Sequence, residues 1–127
     1  MEPTYHNLQF VVLNKHERDF GIGDVIAFRC EGFQTVLFKR IAAGPGDTVV
    51  IRDGTLFVND VRTPLYREGA FAFAGMLENA ITLADGEYIV IGDNTAESKD
   101  SRYTQVGVVR QEMILGKLVR SASPEND

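Results

Sequence analysis

Lys39 stands in the run Val36-Leu37-Phe38-Lys39-Arg40-Ile41, among apolar residues of the kind that build β-strands. Successive side chains on a strand point to opposite faces, so Val36 and Phe38 share one side while Leu37, Lys39 and Ile41 share the other. An ammonium held against an apolar face is costly, and burial can lower a lysine pKa by about 3 to 5. That reaches the range in which a neutral amine accepts a proton and works as a general base. The ordinary alternative is a solvated lysine, or one whose stem covers the sheet while its ammonium reaches water. A second stretch with chemical potential is Gly92-Asp93-Asn94-Thr95-Ala96-Glu97-Ser98-Lys99-Asp100-Ser101-Arg102. Small, acidic and hydroxyl residues crowd it after a strand pattern, which suits a tightly hydrogen-bonded loop. Read alone, it also fits an acidic solvated loop carrying a surface Asp100–Arg102 pair. Gly44-Pro45-Gly46-Asp47 needs only turn geometry: glycine for positive φ, proline for a fixed φ, aspartate to cap the backbone.

Other residue types offer less. His6 and His16 have no cysteine or carboxylate at a metal-ligand spacing, so no metal site is expected and each reads as a surface imidazole. Cys30, the single cysteine, closes a strand pattern and reads as a small buried hydrophobe. It excludes an internal disulfide and a thiolate cluster. No phosphate-binding glycine pattern and no metalloprotease helix motif is present, and no cofactor is implied.

The elements that must position Lys39 and the loop are strands. Alternating runs rich in branched and aromatic residues recur at Leu8 to Leu13, Val25 to Cys30, Thr35 to Ile41, Thr48 to Arg52, Thr55 to Val58 and Tyr88 to Ile91. Turn sequences separate them at Gly21 to Asp24, Gly44 to Asp47, Asp53-Gly54 and Asp85-Gly86, with Asp53-Gly54 the clearest hairpin signal. Only Val109 to Leu115 hints at a helix, of about one or two turns. The expected fold class is all-β, mainly antiparallel coiled sheets forming a barrel-like sandwich, with at most one short helix. Thr63 to Asn79 shows no clear period and is expected to run over the sheet as a long excursion. Residues 1–120 are expected to form one domain and 121–127 a frayed polar tail.

Composition narrows the partners. The chain has 127 residues, 44% of them hydrophobic, enough for a real core in a single domain. Eighteen acidic against thirteen basic residues give a net charge of -5, without the basic excess that phosphate backbones attract, so nucleic acid is not an expected partner. No run approaches the roughly 18 apolar residues of a membrane span, and the start lacks the basic and apolar regions of a signal sequence. The sequence reads as a soluble protein or fragment.

Taken together, these motifs resemble bacterial type I signal peptidases. Lys39-Arg40 followed after three residues by Gly44-Pro45-Gly46-Asp47 is similar to that family's lysine signature, with a small departure around the glycine before proline. Gly92-Asp93-Asn94, then Ser98-Lys99-Asp100-Ser101-Arg102, matches its most specific signature at every signature position. Met1-Glu2-Pro3-Thr4 is similar to the residues that follow the nucleophile in Ser-Met-x-Pro-Thr, which would place the serine directly before Met1. The resemblance extends to Gly116-Lys117, and the short distance between the lysine and loop motifs is that of the compact, Gram-positive form.

The resemblance implies a membrane-anchored serine endopeptidase on the outer face of the cytoplasmic membrane, removing signal peptides of secreted preproteins after small-x-small motifs. It implies that Lys39 is the general base of a Ser-Lys dyad, that Ser98 orients the amine, and that Asp100 and Arg102 form an ion pair shaping the site. Asp93, Asn94 and Ser101 would support the loop. Met1, Tyr5, Leu37 and Phe38 would line the substrate pocket, with Val36 and Ala27 as lesser wall residues; the substrate would lie extended along strand edges. Tyr103 to Gly107 is longer than in many family members and is expected beside the site.

With the serine before Met1, this stretch is expected to be an inactive soluble fragment whose membrane anchor is missing. A fragment begun at the native methionine, self-cleavage next to the serine, and a nucleophile-free homologue assembling secreted or pilus proteins are three accounts of that start. The intact Lys39, Ser98, Asp100 and Arg102 set stands against the last. A peptide-binding module that does not use Lys39 is a different class of reading. A self-cleaving repressor has no support, since no DNA-binding helix-turn-helix is visible. Pairing of exposed strand edges with a second copy is allowed.

Overall fold

The computed structural model of the protein describes residues 8–12 and 20–120. Ten strands run through them: β1 (Leu8–Val12), β2 (Val25–Cys30), β3 (Thr35–Ala43), β4 (Thr48–Arg52), β5 (Thr55–Val58), β6 (Val61–Arg62), β7 (Ile81–Thr82), β8 (Glu87–Ile91), β9 (Val109–Arg110) and β10 (Ile114–Arg120). All pairings are antiparallel, in a six-stranded sheet ordered β1-β10-β2-β3-β8-β9 and a four-stranded sheet ordered β6-β5-β4-β7. The all-β expectation holds. The turns form as their residues require. Asp53 and Gly54 both take positive φ, 52° and 75°, the pairing that a tight hairpin matched to strand twist demands. In the Gly44 to Asp47 turn, Asp47 Oδ2 accepts from the Gly44 N–H at 2.9 Å, and Gly46 supplies the positive φ.

β3 and β8 are the wall shared by two cores. On β8, Ile89 and Ile91 face a cluster with Val49, Ile51, Leu56, Phe71, Leu77 and Leu83, while Tyr88 and Val90 face one with Ile26, Phe28, Cys30, Val106 and Val109. β3 divides likewise, with Ala42 and Ala43 in the first cluster and Ile41 in the second. Leu37 packs against the second cluster, so Lys39, one strand period from both Leu37 and Ile41, lies on that face and Arg40 on the other.

One expectation is corrected. Val109 to Leu115 is not a helix: β9 leads into a single 3-10 turn, Gln111–Met113, and then into β10. Val109, Met113 and Ile114 do share a side, which produces the helix-like spacing, but they reach the second cluster from a strand-turn-strand path. β6 just precedes the Thr63 to Asn79 excursion, which adds only a 3-10 turn at Gly75–Glu78 and drops Leu77 and Phe71 into the first core. Among the described residues, no helix is long and apolar enough to cross a membrane.

Candidate active site

Lys39 is delivered to the site by β3, whose register with β2 places it opposite Ile26. Its Nζ donates to Ser98 Oγ at 3.1 Å. Burial pushes the amine pKa below its ordinary 10.5, and the guanidinium of Arg102 adds to this; the carboxylates of Asp100 and Asp93 oppose it without cancelling it. The result is an amine that loses its proton more readily than a lysine in water, held on a fixed oxygen. Ser98 is 8% exposed, too enclosed to meet a peptide carbonyl itself, so its hydroxyl suits positioning.

The loop after β8 is built around a buried ion pair. Asp100 and Arg102 are 0% and 2% exposed, with Arg102 Nε 2.8 Å from Asp100 Oδ1 and Nη2 2.9 Å from Oδ2, a two-pronged contact. Such a pair is tolerable only if its remaining valences are met. They are. Arg102 also donates to the carbonyls of Phe73, Thr95 and Ser98, and Asp100 accepts from the Gly92 N–H at 3.1 Å. Ser98 is thereby fixed from below through its own carbonyl. Ser101 splices the loop to β8, accepting from the Val90 N–H through Oγ and donating its own N–H to the Val90 carbonyl.

Asp93 turns the other way. Its carboxylate takes both Nε and Nη2 of Arg40 at 2.8 Å, and Arg40 Nη1 reaches the Gly23 carbonyl at 2.7 Å, tying β3, the loop and the turn before β2 together. Asn94 is exposed and shapes the loop locally, accepting from the Ala96 N–H. Lys39, Ser98, Asp93, Asp100, Ser101 and Arg102 are therefore brought together, whereas Asn94 sits at the rim.

The pocket candidates separate by face. Leu37 lies on the Lys39 side and packs against core; Val36 and Phe38, 39% and 40% exposed, project from the opposite side, where Ala27 pairs with Phe38 and is itself buried. Met1, Tyr5, His6 and His16 lie outside the described residues.

Two residues acquire a part in this geometry that their types alone did not assign. Gly92 is buried, and a Cβ there would overlap the Ser98 side chain and come within 3.5 Å of Lys39 Nζ, so only glycine leaves space for the pair. Arg40 is the partner of Asp93. The signals were present, in the glycine that opens the loop motif and in the arginine beside the lysine, but only the fold shows what they touch.

Comparison with known proteins shows which family the chain is similar to. The family model described as signal peptidase, peptidase S26, matches residues 1–121. The chain is 30% identical over 127 residues to a signal peptidase I of Bacillus licheniformis, covering 91% of this chain and 68% of that protein. It is 30% identical to a probable signal peptidase I-2 of Synechocystis, covering 92% of this chain but 56% of the relative. It thus spans between about half and two thirds of the length of these relatives. A crystal structure of a signal peptidase I from Enterococcus faecalis superposes with a TM-score of 0.65 at 30% identity, covering 80% of this chain and 98% of the other. The chain belongs to the signal peptidase family, peptidase S26.

Proposed function

We propose that this signal peptidase family member is the catalytic part of a membrane-tethered serine endopeptidase, acting on the outer face of the cytoplasmic membrane to remove signal peptides after small-x-small motifs. The observation that carries the reading is the Lys39 amine, half-buried, lowered in pKa and held by Ser98. The hydroxyl that the amine serves belongs to a serine nucleophile, as the resemblance of Met1-Glu2-Pro3-Thr4 and the lysine and loop motifs to signal peptidases implies. Its Oγ attacks the carbonyl carbon of the residue preceding the scissile bond as neutral Lys39 takes the hydroxyl proton. The oxyanion is met by backbone N–H groups near the serine, each worth about 3–4 kcal/mol in such sites. Collapse of the tetrahedral intermediate breaks the peptide C–N bond, with the lysine proton passing to the leaving amine. Water then attacks the acyl ester while Lys39 again accepts a proton, and the serine is regenerated.

In this mechanism Ser98 aims the amine and the Asp100–Arg102 pair fixes Ser98. Leu37 lines the pocket on the lysine face, and Val36 and Phe38 border the path of an extended substrate. No step calls for a cofactor.

The test is mass-spectrometric mapping of products from a preprotein incubated with a form carrying serine before Met1. Cleavage after a small-x-small motif that disappears with Lys39→Ala supports the reading. Binding without cleavage by the serine-bearing form would replace it with that of a non-enzymatic assembly factor.

A further inference from the structure

A cavity of about 390 Å³ opens beside the site, lined by Arg40, Pro64, Leu65, Tyr66 and Asp93. Arg40 and Asp93 belong to the sequence motifs, Pro64, Leu65 and Tyr66 to none of them, and the catalytic steps use none of the five. The cavity is nonetheless tied to the catalytic strands. Arg40 adjoins Lys39 on β3, Asp93 follows Gly92, and Tyr66 Oη donates to the carbonyl of Ile91, the last residue of β8, at 3.2 Å. Burial, reinforced by the Asp93 carboxylate, raises the Tyr66 pKa above its ordinary 10.0, so it stays a neutral donor across the physiological range. The Arg40–Asp93 pair forms one wall with side chains 22% and 21% exposed, and the Pro64–Leu65–Tyr66 segment forms the other.

The reading of this chain as a peptidase, on which the following rests, fixes which part of a substrate meets that cavity. β8 pairs with β3 from Arg40 onward, so a peptide running along β3 beside Leu37 and Lys39 arrives end-on at Gly92 and Asp93. In an extended peptide neighbouring side chains point to opposite faces. With the residue before the scissile bond directed to the face of Lys39 and Leu37, the next residue points to the face of Arg40 and Asp93. We propose that this cavity is the subsite for the substrate residue immediately after the scissile bond, and that it favours a carboxamide side chain.

The preference follows from the wall. An ion pair offers a donor and an acceptor side by side, and a carboxamide carries one of each, with a short methylene stem to lie on Pro64, Leu65 and the Tyr66 ring. A carboxylate or ammonium instead competes for one partner and strands the other, which is the costly arrangement for a partly buried pair.

The experiment measures binding of fluorescent peptides to the 127-residue chain by anisotropy. One peptide ends at an Ala-x-Ala motif, and the others continue with Gln, Gly, Glu or Lys. Gln should bind about three- to tenfold tighter than Gly, as one or two neutral hydrogen bonds allow, with Glu and Lys no tighter than Gly. Leu65→Trp, which fills the cavity, should erase the Gln advantage while leaving the affinity of the truncated peptide unchanged; Pro64→Phe, at an exposed position, provides a second filling variant. Equal affinity for all four extended peptides, with the truncated one still bound, would overturn the subsite and leave the peptidase reading standing. Failure of every peptide to bind, or binding indifferent to replacement of the two alanines by bulky residues, would overturn both.

Discussion

A glycine sets how closely two polar side chains meet at the centre of this site. Gly92→Ala would push a methyl group into Ser98 and toward Lys39 Nζ. Displacements of about 1 Å in positioning groups cost on the order of 100-fold in rate, so a serine-bearing Gly92→Ala enzyme should lose about that much kcat while KM changes little. Steady-state kinetics on a short signal-peptide substrate reads both. Asp100 and Arg102 make a different prediction. Asp100→Asn leaves the buried guanidinium short of its countercharge, and breaking such pairs costs about 3–5 kcal/mol. Urea denaturation should show a correspondingly lower midpoint; an unchanged midpoint would mean that the pair contributes nothing to the fold. Lys39, Ser98, Asp100 and Arg102 are singled out in the sequence by the resemblance of their motifs to signal peptidases, since type and spacing alone also fit a solvated lysine and a surface ion pair; the structure sets the four in contact. The bidentate Arg40–Asp93 contact could not be named from sequence, because it crosses between β3 and the loop after β8, and spacing along the chain carries no register between strands.

β3 and β8 carry both chemistry and core. Because each is buried on two faces, Ile41-Ala42-Ala43 and Tyr88-Ile89-Val90-Ile91 are nearly continuous apolar runs; the second is legible as a strand, whereas the sequence pattern ends the first at Ile41 and β3 runs on to Ala43, since two small alanines show no strand period. β9 and β10 are not legible. A two-residue strand has no period to read, and the residues that turn the chain between them imitate a helical face. Hairpins are the most legible connections, and the one at Asp53-Gly54 invites a direct check. Gly54 has φ of 75°, and a Cβ there would lie 3.1 Å from the Phe71 carbonyl oxygen. Gly54→Ala should therefore cost about 1–2 kcal/mol, seen as a lower thermal midpoint, with peptide affinity unchanged because the turn lies in the four-stranded sheet away from Lys39. Loss of peptide binding at a temperature where the variant is folded would show instead that the second sheet shapes the site.

For the molecule as a whole, the two cores share one wall, and that wall holds the lysine in the lowered state on which the proposed chemistry depends. A lysine pKa lowered in the folded state links the site to stability. Between the folded value and the ordinary 10.5, the unfolded chain binds more protons at this residue. Lys39 thus contributes stability that rises with pH across that window, and below it the buried charge weighs against folding. The same burial makes the amine a base. The most direct measurement is the titration of Lys39 Nζ in the intact 127-residue chain by heteronuclear NMR, with Lys39→Ala identifying its resonance. A midpoint clearly below 10.5 is the predicted result; a midpoint at or above 10.5 would show an ordinary ammonium on the sheet and contradict the assignment of Lys39 as general base.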